Sequence, residues 1–214
     1  MADDLNYGYK GADVPQSFGN NKGVFDPADI NNLVKDDKWT QYGQLELIET
    51  QTVSSVANVE FTDLGNYNVH FLTVNDLKVV NDNVWLEVRF YEGGVLETGS
   101  VYQWANLVGV SSGTFYESRT TGFSTLRFMT GANIGNSTNE TGNAYCYFYN
   151  LTDSSKYSFM THQCISMYDT NGMDMNFGSG CMPQASEVDG IQLILTSGNI
   201  DSATISLYGI KEYS

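Results

Sequence analysis

Few side chains in this 214-residue sequence are suited to covalent or acid–base chemistry, and their spacing says more than their number. The two histidines, His70 and His162, each fall inside an alternating apolar run. Neither is flanked by a motif supplying a nucleophile and an orienting acceptor. Both read as structural histidines. Cys146, Cys164 and Cys181 form an odd set without CxxC spacing, the pattern of reduced, buried thiols. Cys164 and His162 are only two positions apart, and no paired spacing accompanies them, so a tetrahedral zinc site is not indicated. Asp169–Asp174 (DTNGMD) has the oxygen donors of a calcium loop, but its order is wrong and the distal Glu is missing. It reads as a polar loop. Among 25 acidic residues no pair is singled out for glycoside cleavage. The expectation is no catalytic residue, no cofactor-binding residue and no metal ligand: a protein that is not an enzyme and carries no cofactor.

Tyr145, Tyr147 and Tyr149 are the other conspicuous set. Alternation puts all three on one face of a strand, with Cys146 and Phe148 on the other. Apolar or aromatic residues on both faces predict coverage of both, the outer one by a second subunit. The sharper alternative is an aromatic platform for sugar rings, with Trp104 as a further candidate.

The elements that must position these residues are strands. Tyr, Phe, Val and Thr are abundant, with 21 Gly and 3 Pro, as in strands joined by Gly, Asn, Asp and Ser turns. Residues 1–23 have neither helical nor strand period and read as an arm, with Tyr7, Tyr9, Val14 and Phe18 as apolar anchors. A helix of about two turns follows, capped by Asp26 with Pro27 in its first turn and an apolar stripe of Ile30, Leu33 and Val34. Phe25 and Trp39 flank it and complete the candidate anchoring set. From position 44 onward strands are expected at 45–50, 53–61, 67–73, 84–90, 101–108, near 115, 125–129, 143–151 and 157–168. Glu92-Gly93-Gly94 signals a hairpin, as does Asp153-Ser154-Ser155. Residues 131–142 and 169–180 read as polar, Gly-rich loops. Ile191–Leu195 and Thr204–Ile210, separated by Ser197-Gly198-Asn199, predict a closing pair of strands. The whole reads as all-β, a two-sheet sandwich of the jelly-roll type. Residues 1–40 form the arm and helix and 41–214 the β-domain.

A formal net charge of −15 disfavours nucleic acid and anionic membrane as partners. The first residues lack the basic and apolar regions of a signal peptide, and no apolar run reaches the ~20 residues of a membrane span.

Gly19–Ser55, with its "GVF" helix and "LELIETQT" strand, and Ser197–Tyr213 (SGNIDSATISLYGIKEY) resemble the ends of virion structural proteins of tailed bacteriophages, as found in marine and cyanobacterial phages. The stretch VEFTDLGNYNVHFLTVNDL is similar to the second and third strands of that family. A Ser-Thr-Asp-Gly-Gly strand common there is matched only in part, at Tyr91–Gly94. The resemblance implies a non-enzymatic, jelly-roll-like domain on the virion surface, made in the host cytoplasm and generally a homotrimer. Residues 1–40 would attach it to other virion proteins, and it would serve as a tail-fibre or other appendage or as a capsid decoration (cement) protein. The alternative is a carbohydrate-binding module or receptor-binding depolymerase fragment acting on host surface glycans.

Overall fold

The computed structural model describes residues 27–35, 45–129, 133–169 and 172–212. The chain divides into two units, Met1–Gln44 and Leu45–Ser214. In the first, helix α1 (Pro27–Lys35) has Asp29 in its first turn and Lys35 in its last, each placed favourably on the helix dipole. Leu33 is its buried side chain. Val34, expected on the same stripe, is 44% exposed.

The described residues of the second unit form thirteen strands: β1 (Leu45–Val56), β2 (Asn58–Phe61), β3 (Val69–Val79), β4 (Leu86–Glu92), β5 (Val95–Leu96), β6 (Tyr102–Val110), β7 (Thr114–Phe123), β8 (Leu126–Arg127), β9 (Gly142–Tyr149), β10 (Ser158–Asp169), β11 (Gly172–Met182), β12 (Gly190–Leu195) and β13 (Ile200–Ile210). They make two antiparallel sheets in a sandwich. The larger has eight strands in the order β1-β13-β3-β9-β10-β11-β6-β7; the smaller runs β2-β12-β4-β5, with β8 also on β4.

Alternation explains the sandwich. Leu72 and Val74 of β3, Cys146 and Phe148 of β9, and Ile205 and Leu207 of β13 face inward, as do Leu86, Val88 and Phe90 of β4 and Ile191 and Leu193 of β12. All are fully buried in one core, where Phe90 meets Phe148 edge to face at 5.8 Å. Burying such a side chain contributes about 1.5–3 kcal/mol. The turns are equally local. Gly93 and Gly94 both have positive φ (59° and 74°), which the two-residue β4–β5 hairpin requires. Asp153 caps the β9–β10 turn through Ser155 N–H at 2.9 Å.

Three expectations are corrected. The strands expected at 45–50 and 53–61 are divided differently: one long strand, β1, turns at Ser55 (φ 56°) near its end and is followed by the short β2 in the other sheet. Residues 172–182 are a full strand, β11, paired along its length with β10. Its inward positions from Gly172 to Gly180 are Gly172, Asp174, Asn176, Gly178 and Gly180, which lack the apolar signature; only Met182, buried at the strand's end, carries it. Finally, β12 and β13 do not pair with each other: the turn at Ser197–Asn199 carries the chain from the small sheet to the large one.

Candidate functional site

The two faces of the large sheet gather different chemistry. The inner face of β9, β10, β11 and β6 holds most of the sequence's candidate reactive groups. Cross-strand register aligns Cys146, His162, Gly178 and Asn106 in one row, and Ala144, Cys164, Asn176 and Val108 in the next. Because Gly178 has no side chain, His162 reaches across β11 to Asn106, Nε2 to Oδ1 at 3.0 Å. The Asn106 amide nitrogen donates to the Arg127 carbonyl at 3.4 Å, so its oxygen accepts from His162. That leaves His162 Nδ1 as a bare, buried acceptor without a protein partner. Protonating it would bury an unsatisfied N–H, and burial holds the imidazole down at about 4.

The adjacent thiol is shifted the opposite way. Burial pushes Cys164 up to about 12, and its Sγ–H donates to Asn176 Oδ1. A cysteine–histidine pair acts as a nucleophile when the thiol is acidic and the imidazole basic. Here both are neutral and enclosed, and Cys146 is likewise pushed up by burial. His70 is buried against the Leu64 carbonyl at 2.9 Å, and its pKa is lowered by burial. Asp174, from the stretch read as a polar loop, points inward and accepts the Asn133 N–H at 3.3 Å; burial raises its pKa. Among the described residues no three His, Cys, Asp or Glu side chains come together in a way that could hold a metal ion.

At one end of this face Arg127 stacks on Trp85, 4.0 Å from the ring centroid, and also lies over Phe123 and Trp104. Its Nε is 3.3 Å from Glu87 Oε1, an ion pair without hydrogen-bond alignment. Trp104, a candidate for sugar stacking, is therefore spent inside, 7% exposed.

The outer face is where the tyrosine ladder lies. One row crosses the sheet from Tyr208 through Phe71, Tyr147, Thr161, Ser179 and Ala105 to Arg119. On one side of it stands the row Tyr149, Phe159, Cys181 and Gln103, and on the other Tyr145, Gln163, Phe177 and Leu107. Across β9, β10, β11 and β6 none of these outward residues is charged, in a chain of net charge −15. Charge appears beyond them on β7, where Arg119 and Glu117 pair at 2.9 Å.

Tyr145, Tyr147 and Tyr149 share this face as expected. Phe71 packs on Tyr147 at 4.8 Å, and Tyr147 stacks on Tyr149 at 6.5 Å. Two of the three tips are already satisfied: Tyr145 Oη donates to Gln163 Oε1 at 2.7 Å, and Tyr149 Oη meets Thr161 Oγ1 at 3.2 Å. The Tyr145 and Tyr149 rings can therefore be covered without orphaning a hydroxyl. The other candidate contacts, Tyr7, Tyr9, Val14, Phe18, Phe25 and Trp39, lie outside the described residues.

Beyond the tyrosines the face drops. Thr161, Ser179 and Ala105 are small and exposed, and they floor a shallow trough of about 720 Å³ walled by Phe159 on one side, continuous with a second of about 660 Å³ walled by Phe177. Sequence reasoning missed this trough, because its floor joins β10 and β11, the second of which read as a loop, to β6 from a distant part of the chain.

Among the described residues no helix is long and apolar enough to cross a membrane. Compared with known proteins, the chain matches no family model and no curated protein.

Proposed function

We propose that this chain is a non-enzymatic structural protein of a tailed-phage virion surface, a homotrimer attached through residues 1–40 as an appendage or a capsid decoration protein. One observation carries the reading: across β9, β10, β11 and β6 the outer face of the large sheet is uncharged and rich in aromatic side chains, in a chain of net charge −15. Two copies approaching through acidic surfaces repel each other, whereas this face meets a neighbour without like-charge contact. Its β13–β3–β9 end, with Tyr208, Phe71, Tyr147 and Tyr145, is the broadest aromatic part and the one assigned to the subunit contact. The strand order also supports the jelly-roll reading. β1-β13-β3-β9 faces β2-β12-β4-β5, with the chain alternating between sheets, and β10, β11, β6 and β7 extend one side. The sequence resemblance at Gly19–Ser55 and Ser197–Tyr213 supplies the virion context.

The test is particle incorporation. A chain lacking residues 1–23 is expected to keep the β-domain's far-UV spectrum and to vanish from purified particles. Retention at full occupancy refutes attachment through the arm. Absence of the intact chain from particles refutes the virion assignment. Copy number against the major capsid protein separates appendage from decoration.

A further inference from the structure

The trough on the β10–β11–β6 part of the outer face has a chemistry that the subunit contact does not use, and we infer that it is a binding site for a neutral oligosaccharide. The floor row runs from Tyr147 on β9 to Arg119 on β7, four strand spacings or about 19 Å. The walls stand two residues away on each side. Phe159 and Phe177, 42% and 46% exposed, present ring surface to the trough, and Thr161, Ser179 and Gln103 line it with hydroxyls and an amide.

Charge selects the ligand class. An acidic ligand is repelled by a chain of net charge −15. A basic one finds no free carboxylate in the lining, since Glu117, the one carboxylate there, is paired with Arg119. The occupant is therefore neutral. A peptide is a poor fit, because the trough crosses the strands and their backbone N–H and C=O groups are consumed by pairing with both neighbours. A wholly apolar ligand would strip water from the floor hydroxyls without replacing its hydrogen bonds. Linked pyranose rings meet all three conditions. Their C–H faces stack on aromatic side chains, and their hydroxyls both donate and accept.

The site is independent of the virion assignment and goes beyond it. The experiment is calorimetric titration of the full chain with neutral hexasaccharides of glucose, mannose, xylose and N-acetylglucosamine, with oligogalacturonate as the acidic control. At least one neutral sugar is expected to bind and the control not to. Phe159→Ala and Phe177→Ala change exposed rings and leave the core intact; each is expected to weaken binding roughly tenfold or more. Ser179→Trp fills the floor and is expected to abolish it, with an unchanged thermal midpoint of the β-domain as the folding control. No neutral sugar bound at millimolar concentration, binding indifferent to the phenylalanine changes, or preference for the acidic control overturns the proposal. So does dissociation of an oligomer by Ser179→Trp in sedimentation, since a second copy would then occupy the trough. None of these outcomes bears on whether the protein is found in particles.

Discussion

Lowering the pH should destabilise this fold mainly through His162, and the size of the effect follows from its surroundings. The imidazole is held at about 4 by burial, whereas in an unfolded chain it titrates near 6.5. Between those values the unfolded state binds a proton that the native state refuses, so unfolding gains as pH falls. Stability is complete above about 6.5, is lost through the interval, and stops changing from this source below about 4. The full gap corresponds to ~3 kcal/mol, and the part realised between pH 7 and pH 4.5 to about 2 kcal/mol. His70, also lowered by burial, adds in the same direction. Asp174 and Glu87, raised by burial, act oppositely, because the native state holds their protons more readily than the unfolded chain does. The variant His162→Gln keeps a donor for Asn106 Oδ1, removes the titration and leaves the other three groups in place. Urea unfolding at the two pH values should show the variant losing about 2 kcal/mol less than the wild type. The two histidines give two imidazole Cε1–H resonances, and that of His162 should not titrate above pH 5. Equal losses in both proteins, or a midpoint above 6, would show that the pocket is open to water and the reasoning wrong.

Two further perturbations probe the same inner face. Gly178→Ala places a methyl on Asn106 Oδ1 and 2.6 Å from the Ala105 carbonyl. It should cost ~2–4 kcal/mol through overpacking and loss of the His162–Asn106 bond, and a fall in urea midpoint worth under ~1 kcal/mol would contradict the packing. Arg127→Met leaves Glu87 enclosed without its counter-charge and removes the stacking on Trp85. It should cost ~3 kcal/mol, with Glu87→Leu added to it recovering most of the loss. A double variant no better than the single one would show that the aromatic contacts, and not the ion pair, hold Arg127.

Much of the fold was legible because the signals were local. The β9–β10 hairpin shows in the Tyr145–Tyr149 alternation and the Asp153 turn, and the structure pairs Phe159 with Tyr149 and Gln163 with Tyr145. The β4–β5 hairpin shows in Gly93-Gly94. What stayed hidden depends on lateral order. Strand β11 escaped notice because its inward positions from Gly172 to Gly180 are glycine, asparagine and aspartate, chosen so that His162 can span it and Leu126 and Trp104 can approach Gly180. The period-2 signals of β12 and β13 predict strands correctly, but alternation cannot say that they belong to different sheets. The tyrosines could be placed on one face from sequence alone. The trough beside them could not, since Thr161, Ser179 and Ala105 become neighbours only when β10, β11 and β6 pair.

The distribution of charge over the large sheet argues for how this domain meets other molecules. Its two terminal strands both carry charged side chains, Glu46 and Glu49 on β1 and Glu117 and Arg119 on β7. Charges there oppose the addition of a further strand, the usual hazard of an exposed sheet edge. The central strands β9, β10 and β11 carry none on the outer face, although the chain has acidic residues in excess. Solubility alone would place some of them there. A sheet with charge at its edges and none across its central strands is arranged for contact flat against the face, with its rings pre-positioned. Subunit packing at the tyrosine end and sugar stacking in the trough both make that contact, and neither requires the edges to open.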